Sequence, residues 1–303
     1  MSEKKHVVSL SLGTSKRDKR SEATLLGTDF LIERIGTDGD FKKYQALFRE
    51  YDGKVDAIGV GGADVYVVVD DRQYPWRQIQ RVAESVKKTP VVDGSGLKHT
   101  LERDTVEILQ REGTVDFRNL KVLLVSGVDR FGMAQAMEKA GAKVTYGDLM
   151  FGLGLPFPIR SYDQVRKLAG ILLPILTRLP QTWVYPIGAA QEKRKPQFQS
   201  AFADADLIAG DWHLIRKALP DKIEGKTILT QTVRQADLEM LKEMGARRVI
   251  VTTPIIGGET FATNVMEACL VARFGPNLTE AQYRGALSQL QWKPGIIDLN
   301  PNP

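Results

Sequence analysis

Apolar and polar positions alternate in blocks along this chain, and the blocks change period as they go. HVVSLSLG, residues 6 to 13, is a short apolar run of strand type, and the basic stretch TSKRDKR after it reads as a loop. GTDFLIERIG predicts a second strand. FKKYQALFREYDGK spaces its apolar residues as a helix does and stops at Gly53. VDAIGVGGADVYVVVD gives two apolar runs around a glycine pair, and PWRQIQRVAESVKK predicts a helix with Pro75 in its first turn. TPVVDG has the unbroken apolar character of a buried parallel strand, and the helical pattern LERDTVEILQREG follows it.

Near TVDFRNLK, residues 114 to 121, the alternation restarts. KVLLVSG predicts a strand, RFGMAQAMEKAGA a helix and KVTYGD a strand. A helical region over 162 to 179 includes LAGILLPILTRLP, which predicts a buried helix kinked or broken at Pro174. WVYPIG, DLIAGD, KTILTQ and RRVIVTTP predict strands, ADLEMLKEMGA and ETFATNVMEACLVARFG helices, and PGIIDLNPNP an extended tail. Such βα alternation predicts an α/β protein with two α/β domains, the second a Rossmann-like doubly wound parallel sheet. The boundaries expected are 1–118 for a substrate domain, 119–265 for a nucleotide domain, and 266–303 for a C-terminal helix and tail returning to the first.

Two stretches concentrate candidate chemistry. In KVLLVSGVDRFGMAQAMEKAGAKVTYGD a strand feeds a glycine turn and a helix, and a second strand ends at Asp148. A helix N-terminus offers free amides and a positive dipole end to a pyrophosphate, and a carboxylate about 20 residues on can bind ribose hydroxyls. Gly127, Arg130 and Gly132 are the candidates for the pyrophosphate and Asp148 for the ribose. Asp129 stands where the middle glycine of G-x-G-x-x-G belongs, placed to repel phosphate or to cap the helix. The same geometry suits S-adenosylmethionine, or a βαβ unit that binds no nucleotide.

The other stretch is TPVVDGSGLKHTLER, residues 89 to 103, where a strand-end turn is followed by Lys98. A lysine near a helix N-terminus opposes the dipole, so it either points to water or serves an anionic ligand. Asp93 is the carboxylate beside it, and an Asp or Ser cap on the helix is the structural alternative. The glycine turn GVGGADVY carries Asp64. At the end of the first strand, Ser11 and Thr14 are candidates for a carboxylate pocket, and Thr263 and Asn264 in TTPIIGGETFATN for binding a polyol.

Composition narrows the classes. With 42 basic and 37 acidic residues the net charge is +5, and the short basic clusters KKTP and QEKRKP suit solvated loops better than a nucleic-acid surface. The single cysteine, Cys269, cannot form an internal disulfide and fits a reducing cytoplasm. MSEKKH leads straight into a strand pattern, unlike a signal peptide. No apolar run approaches the roughly 20 residues of a membrane span. Three scattered histidines and one cysteine offer no metal cluster, and P-loop and G-x-S-x-G motifs are absent.

The segments TPVVDGSGLKHTLER, VSGVDRFGMA and TTPIIGGETFATNVMEA together resemble the bacterial quinate 5-dehydrogenases, relatives of the shikimate dehydrogenases. The resemblance implies an N-terminal substrate domain, a nucleotide domain and a C-terminal helix that returns. It also implies a lysine and an aspartate in acid/base roles, which would fall to Lys98 and Asp93, and first-strand hydroxyls on a substrate carboxylate. The family's N-x-T-x-P-x-K motif is absent. The expectation is an oxidoreductase using NAD, with NADP possible, on an alicyclic hydroxy acid such as quinate or shikimate. The alternatives are a non-catalytic small-molecule-binding or regulatory protein on the same fold, and a transferase with another nucleotide-like cofactor.

Overall fold

The alternating blocks become two α/β units in a computed structural model. It describes residues 4–70, 72–179, 194–253 and 262–300, with 255–256 and 259–260 in backbone only. One unit comprises 1–100, 173–191 and 256–292, and the other 101–172, 192–255 and 293–303. In chain order the elements begin with β1 (Lys5–Ser11), β2 (Lys19–Leu25), β3 (Thr28–Gly36), α1 (Phe41–Tyr51) and β4 (Ala57–Gly61). Next come β5 (Tyr66–Val69), β6 (Arg72–Pro75), α2 (Arg77–Ser85), β7 (Val91–Val92) and α3 (Ser95–Arg111). Then follow β8 (Lys121–Leu124), α4 (Phe131–Lys139), β9 (Lys143–Tyr146), α5 (Tyr162–Leu176), α6 (Gln199–Asp204) and β10 (Leu207–Ala209). After these are α7 (Trp212–Ala218), β11 (Thr227–Thr230), α8 (Gln235–Glu243) and β12 (Arg248–Val251). The last are β13 (Ile255–Ile256), β14 (Glu259–Thr260), α9 (Thr263–Phe274), α10 (Glu280–Gln289) and β15 (Gly295–Asp298).

In the first unit the sheet order is β2-β3-β1-β4-β7. β1 runs parallel to β3 and β4, and β4 to β7, so Ser11, Gly61 and Val92 end strands at one edge. β2 is antiparallel to β3. It claims Lys19 and Arg20 from the stretch expected as a loop, because an exposed charged edge strand has no apolar face to announce it. Val7, Val8, Leu10, Ile58, Phe30 and Phe48 are buried in this unit. Pro75 ends β6, and Trp76 is the N-cap of α2, so the proline lies just outside the helix expected to contain it.

In the second unit the order is β15-β12-β11-β10-β8-β9, parallel from β9 to β12, with β15 antiparallel on β12. The chain steps from β8 to β9, then returns past β8 to β10, which makes the sheet doubly wound with a switch point between β8 and β10. Val106, Leu109 and Phe117 pack with Leu124, Met137, Tyr146, Leu207 and Ile250 in its core.

The expected boundaries shift accordingly. The division falls inside α3, because Val106 and Leu109 join the core of the second unit, and β15 keeps the tail with that unit by pairing with β12. α5 is continuous through Pro174, and its expected burial holds on one face only. Val165, Ala169 and Leu173 are buried, whereas Ile171 and Ile175 are 67% and 60% exposed. The expected strand WVYPIG lies outside the described residues, as do Pro254, Gly257, Gly258 and Phe261. No helix among the described residues is long and apolar enough to cross a membrane.

Candidate functional site

In the first unit the turn after β7 is set by Asp93. One of its carboxylate oxygens accepts the amides of Val65 and Tyr66 at 2.7 and 3.1 Å, and the other the amide of Ser95 at 2.9 Å. Asp93 therefore fastens the start of β5 and caps α3, so the acid/base role expected of it does not match its position. Gly94 takes φ +93°, and a side chain there would lie 2.8 Å from the Asn264 amide nitrogen, so only glycine brings this turn against the start of α9.

Lys98 occupies the fourth position of α3 with 6% exposure, and its Nζ lies 3.4 Å from Asp64 Oδ1. A carboxylate in the turn after β4 thus faces Lys98. That pairing spans 34 residues and left no local signal in the sequence. Asn264 is buried and donates from Nδ2 to Ser9 Oγ at 2.8 Å. Thr263 opens α9 half-buried. Ser11 Oγ accepts from the Gly13 amide and from Arg34, and Thr14 caps the 3-10 turn at Ser15–Arg17. Arg34 also binds Asp18 and the Thr14 carbonyl, and burial lowers its pKa even though Asp18 raises it. Both first-strand candidates therefore already hold protein groups.

Beneath the same turn lies a buried carboxyl that the sequence reading missed. Glu267 on α9 is 4% exposed, and its Oε1 accepts the Tyr283 hydroxyl at 2.5 Å. Burial, with Asp93 adding to it, pushes the Glu267 carboxyl up to about 7, against the pull of Tyr283 and the amides of Gly94 and Gly96.

In the second unit Asp148 accepts the amides of Gly127 and Val128 at 3.1 and 2.8 Å. Burial pushes it up to about 6 despite those bonds, and Asp129 adds to the rise. A side chain at Gly127 would lie 2.7 Å from the Tyr146 ring, so this glycine serves close internal packing. Gly132 is buried in the first turn of α4, where the N-cap residue Arg130 supplies no side-chain cap. Arg130 itself is buried and consumed. Its guanidinium donates to Glu102 and to Asp211 at 3.0 Å, with Asp129 at 3.1 Å from Nε. Burial opposes its charge, but Glu102, Asp129 and Asp211 raise it well above the usual range.

These residues do not fit a pyrophosphate. One guanidinium faces Glu102, Asp129 and Asp211, with Asp148 close enough to Asp129 to feel its charge. His213, whose charge lowers Asp211, does not reverse the excess. Two like charges about 6 Å apart at an effective dielectric of about 20 repel by roughly 3 kcal/mol. An open helix end returns about 0.3–1 kcal/mol. The repulsion is the larger quantity, and the three carboxylates on Arg130 oppose the pyrophosphate role expected of it.

A cavity of about 370 Å³ opens elsewhere, at the amino ends of β10, β11 and β12, lined by Lys226, Arg247, Asp206 and Glu224 among others. No group of three His, Cys, Asp or Glu able to hold a metal occurs among the described residues.

Fold and turns together define a two-unit α/β protein with strand-end glycine turns in each unit. Residues 96–299 match the model of a domain of unknown function (DUF8754), more than half of the chain, and the chain belongs to that family. Residues 6–93 match a second domain of unknown function (DUF8753). No curated protein matches the chain. Among solved structures, the chain is similar to the substrate-binding protein of a sugar ABC transport system from Bordetella parapertussis, with 12% identity, 97% of this chain and 88% of that one covered, and a TM-score of 0.40. It is also similar to hetero-hexameric glutamate dehydrogenase from Thermus thermophilus, with 13% identity, 95% and 73% covered, and a TM-score of 0.43. NAD-dependent malic enzyme from Thermotoga maritima gives 14% identity, 95% and 84% covered, and a TM-score of 0.36. Likenesses this distant carry no statement about ligand or reaction.

Proposed function

We propose that this chain is a small-molecule-binding protein whose ligand lies at the carboxyl edge of the first unit's sheet, and that its second unit does not take a dinucleotide. The observation that supports it is the buried Lys98, whose Nζ lies 3.4 Å from the half-buried Asp64 carboxylate beside a strand-end glycine turn. Taking the Lys98 ammonium out of water is costly, and the Asp64 carboxylate offsets part of that cost. Open α/β sheets bind ligands beyond the carboxyl ends of their strands; Asp64 lies in the turn after β4, and Lys98 in the first turn of α3, which follows β7 at that edge.

The second reading is an NAD(P)-dependent oxidoreductase acting on an alicyclic hydroxy acid such as quinate or shikimate. Asp148 favours it, because a carboxylate just beyond the second strand of a βαβ unit is placed for ribose hydroxyls. In that reading Lys98 and Asp64 would relay the proton of the reacting hydroxyl. Titration calorimetry of the full chain with quinate, shikimate, NAD and NADP separates the two. The binding reading expects heat from a hydroxylated small molecule, lost in Lys98→Met, and none from either dinucleotide. Dinucleotide binding with quinate turnover would replace it with the second reading.

A further inference from the structure

The cavity at the amino ends of β10, β11 and β12 belongs wholly to the second unit, at the edge of its sheet away from the Gly127 turn. Its volume of about 370 Å³ falls within the roughly 300–1,000 Å³ of small-molecule pockets. Its walls carry balanced charge, with Asp116, Asp206 and Glu224 set against Lys226, Arg247 and Arg248. Three of the six are already engaged. Asp116 is held by Arg118 at 2.9 Å and Arg248 by Asp298 at 2.6 Å, and Lys226 Nζ donates to the carbonyls of Ala203 and Ala205. Arg247 differs. Its amide donates to the Lys226 carbonyl and its own carbonyl accepts from Leu299 and Asn300, so its backbone is fixed. Its guanidinium makes no ion pair or hydrogen bond among the described residues. Asp206 gives Oδ2 to the Lys121 amide at 3.2 Å and keeps Oδ1. Glu224 stands 3.4 Å from the Lys222 ammonium, an exposed contact that holds it weakly. Val115 and Leu120, both half-buried against the core of the unit, give the cavity an apolar wall.

We propose that this cavity is a second ligand site, for a free α-amino acid with an apolar side chain. Its carboxylate meets Arg247, its ammonium meets Asp206 and Glu224, and its side chain lies on Val115 and Leu120. The site is independent of the one proposed for the first unit. A guanidinium matches a carboxylate with two parallel hydrogen bonds, and Arg247 has them to give. Charge disfavours the alternatives. A phosphate or dicarboxylate carries excess negative charge toward Asp116, Asp206 and Glu224, and a polyamine carries excess positive charge toward Lys226, Arg247 and Arg248. A zwitterion has both charges and no excess of either.

The test is calorimetry on the full chain with L-leucine, with L-leucinamide, which lacks the anion, and with N-acetyl-L-leucine, which lacks the cation. L-Leucine binds at least tenfold tighter than either. Arg247→Met weakens L-leucine about tenfold and leaves the weaker binding of L-leucinamide unchanged. Asp206→Asn combined with Glu224→Gln weakens L-leucine about tenfold and leaves N-acetyl-L-leucine unchanged. Lys98→Met, at the first unit's site, leaves L-leucine binding as in wild type, so failure of one site is told from failure of the other. If L-leucinamide or N-acetyl-L-leucine binds as tightly as L-leucine, the cavity does not read both charges and the proposal falls. It falls also if L-leucine gives no heat, or if its binding survives Arg247→Met. An unfolding midpoint lowered by Arg247→Met would make that guanidinium a structural group and overturn its role as the carboxylate's partner.

Discussion

Replacing Glu267 by glutamine should remove a pH-dependent loss of stability. The carboxyl is pushed from its ordinary 4.5 up to about 7, chiefly by burial. A raised carboxyl favours the folded state while protonated, so its contribution is fully present below about 4.5 and is lost as pH climbs through 7. The shift of roughly 2.5 units, at 1.36 kcal/mol each, sets the loss at about 3 kcal/mol. Glutamine keeps an oxygen for the Tyr283 hydroxyl and never ionises. Paired denaturant titrations of wild type and Glu267→Gln from pH 4.5 to 8 measure the difference, and other titrating groups cancel in the comparison. The variant should match wild type within about 1 kcal/mol at pH 4.5 and exceed it by about 3 kcal/mol at pH 8. A difference that stays flat across this range would show that Glu267 is not a buried carboxyl with a raised pKa.

Arg130→Met removes the guanidinium shared by Glu102, Asp129 and Asp211 and should cost about 3–5 kcal/mol, read by chemical denaturation. A cost under about 1 kcal/mol would mean that the cluster is solvated. Gly127→Ala drives a methyl to 2.7 Å from the Tyr146 ring and should cost about 1–3 kcal/mol in the same assay. Asp148→Ala strips the acceptor from two amides and should speed hydrogen exchange at Gly127 and Val128 specifically. Unchanged exchange there would remove Asp148 from its place in the turn.

What was legible in the sequence was local. The β8–α4–β9 run and Asp148 at its end declare themselves because strand, turn, helix and strand are contiguous. Lys98 stood out for the same reason, three residues into a helix whose dipole it opposes. The partners that give these residues meaning come from far along the chain. Arg130 meets Glu102 across 28 residues and Asp211 across 81, and nothing in the glycine spacing hints at either. Glu267 lies in an apolar helix, MEACLVA, where one acidic residue looks like an exposed position, yet that helix is buried over both turns around it. β2 stayed hidden because both its faces are largely polar and exposed, so neither helical nor strand periodicity of apolar residues exists to be seen.

The glycine turns show why motif spacing misled on the cofactor. This chain repeatedly uses aspartate to hold loop amides. Asp52 takes those of Lys87, Lys88 and Thr89, Asp93 those of Val65, Tyr66 and Ser95, and Asp211 those of His213 and Leu214. Asp148 on Gly127 and Val128 is another member of the series. An aspartate some 20 residues beyond a glycine turn therefore has a structural use that the spacing cannot tell from a ribose contact. The electrostatics can. Amide bonds, that of Lys87 first, hold the Asp52 carboxyl below its usual range, as expected where bonds outweigh burial. At Asp148 burial outweighs the bonds, and the carboxyl stands at about 6. Burial therefore sets Asp148 apart from the other turn aspartates, while the carboxylates around Arg130 speak against phosphate beside it.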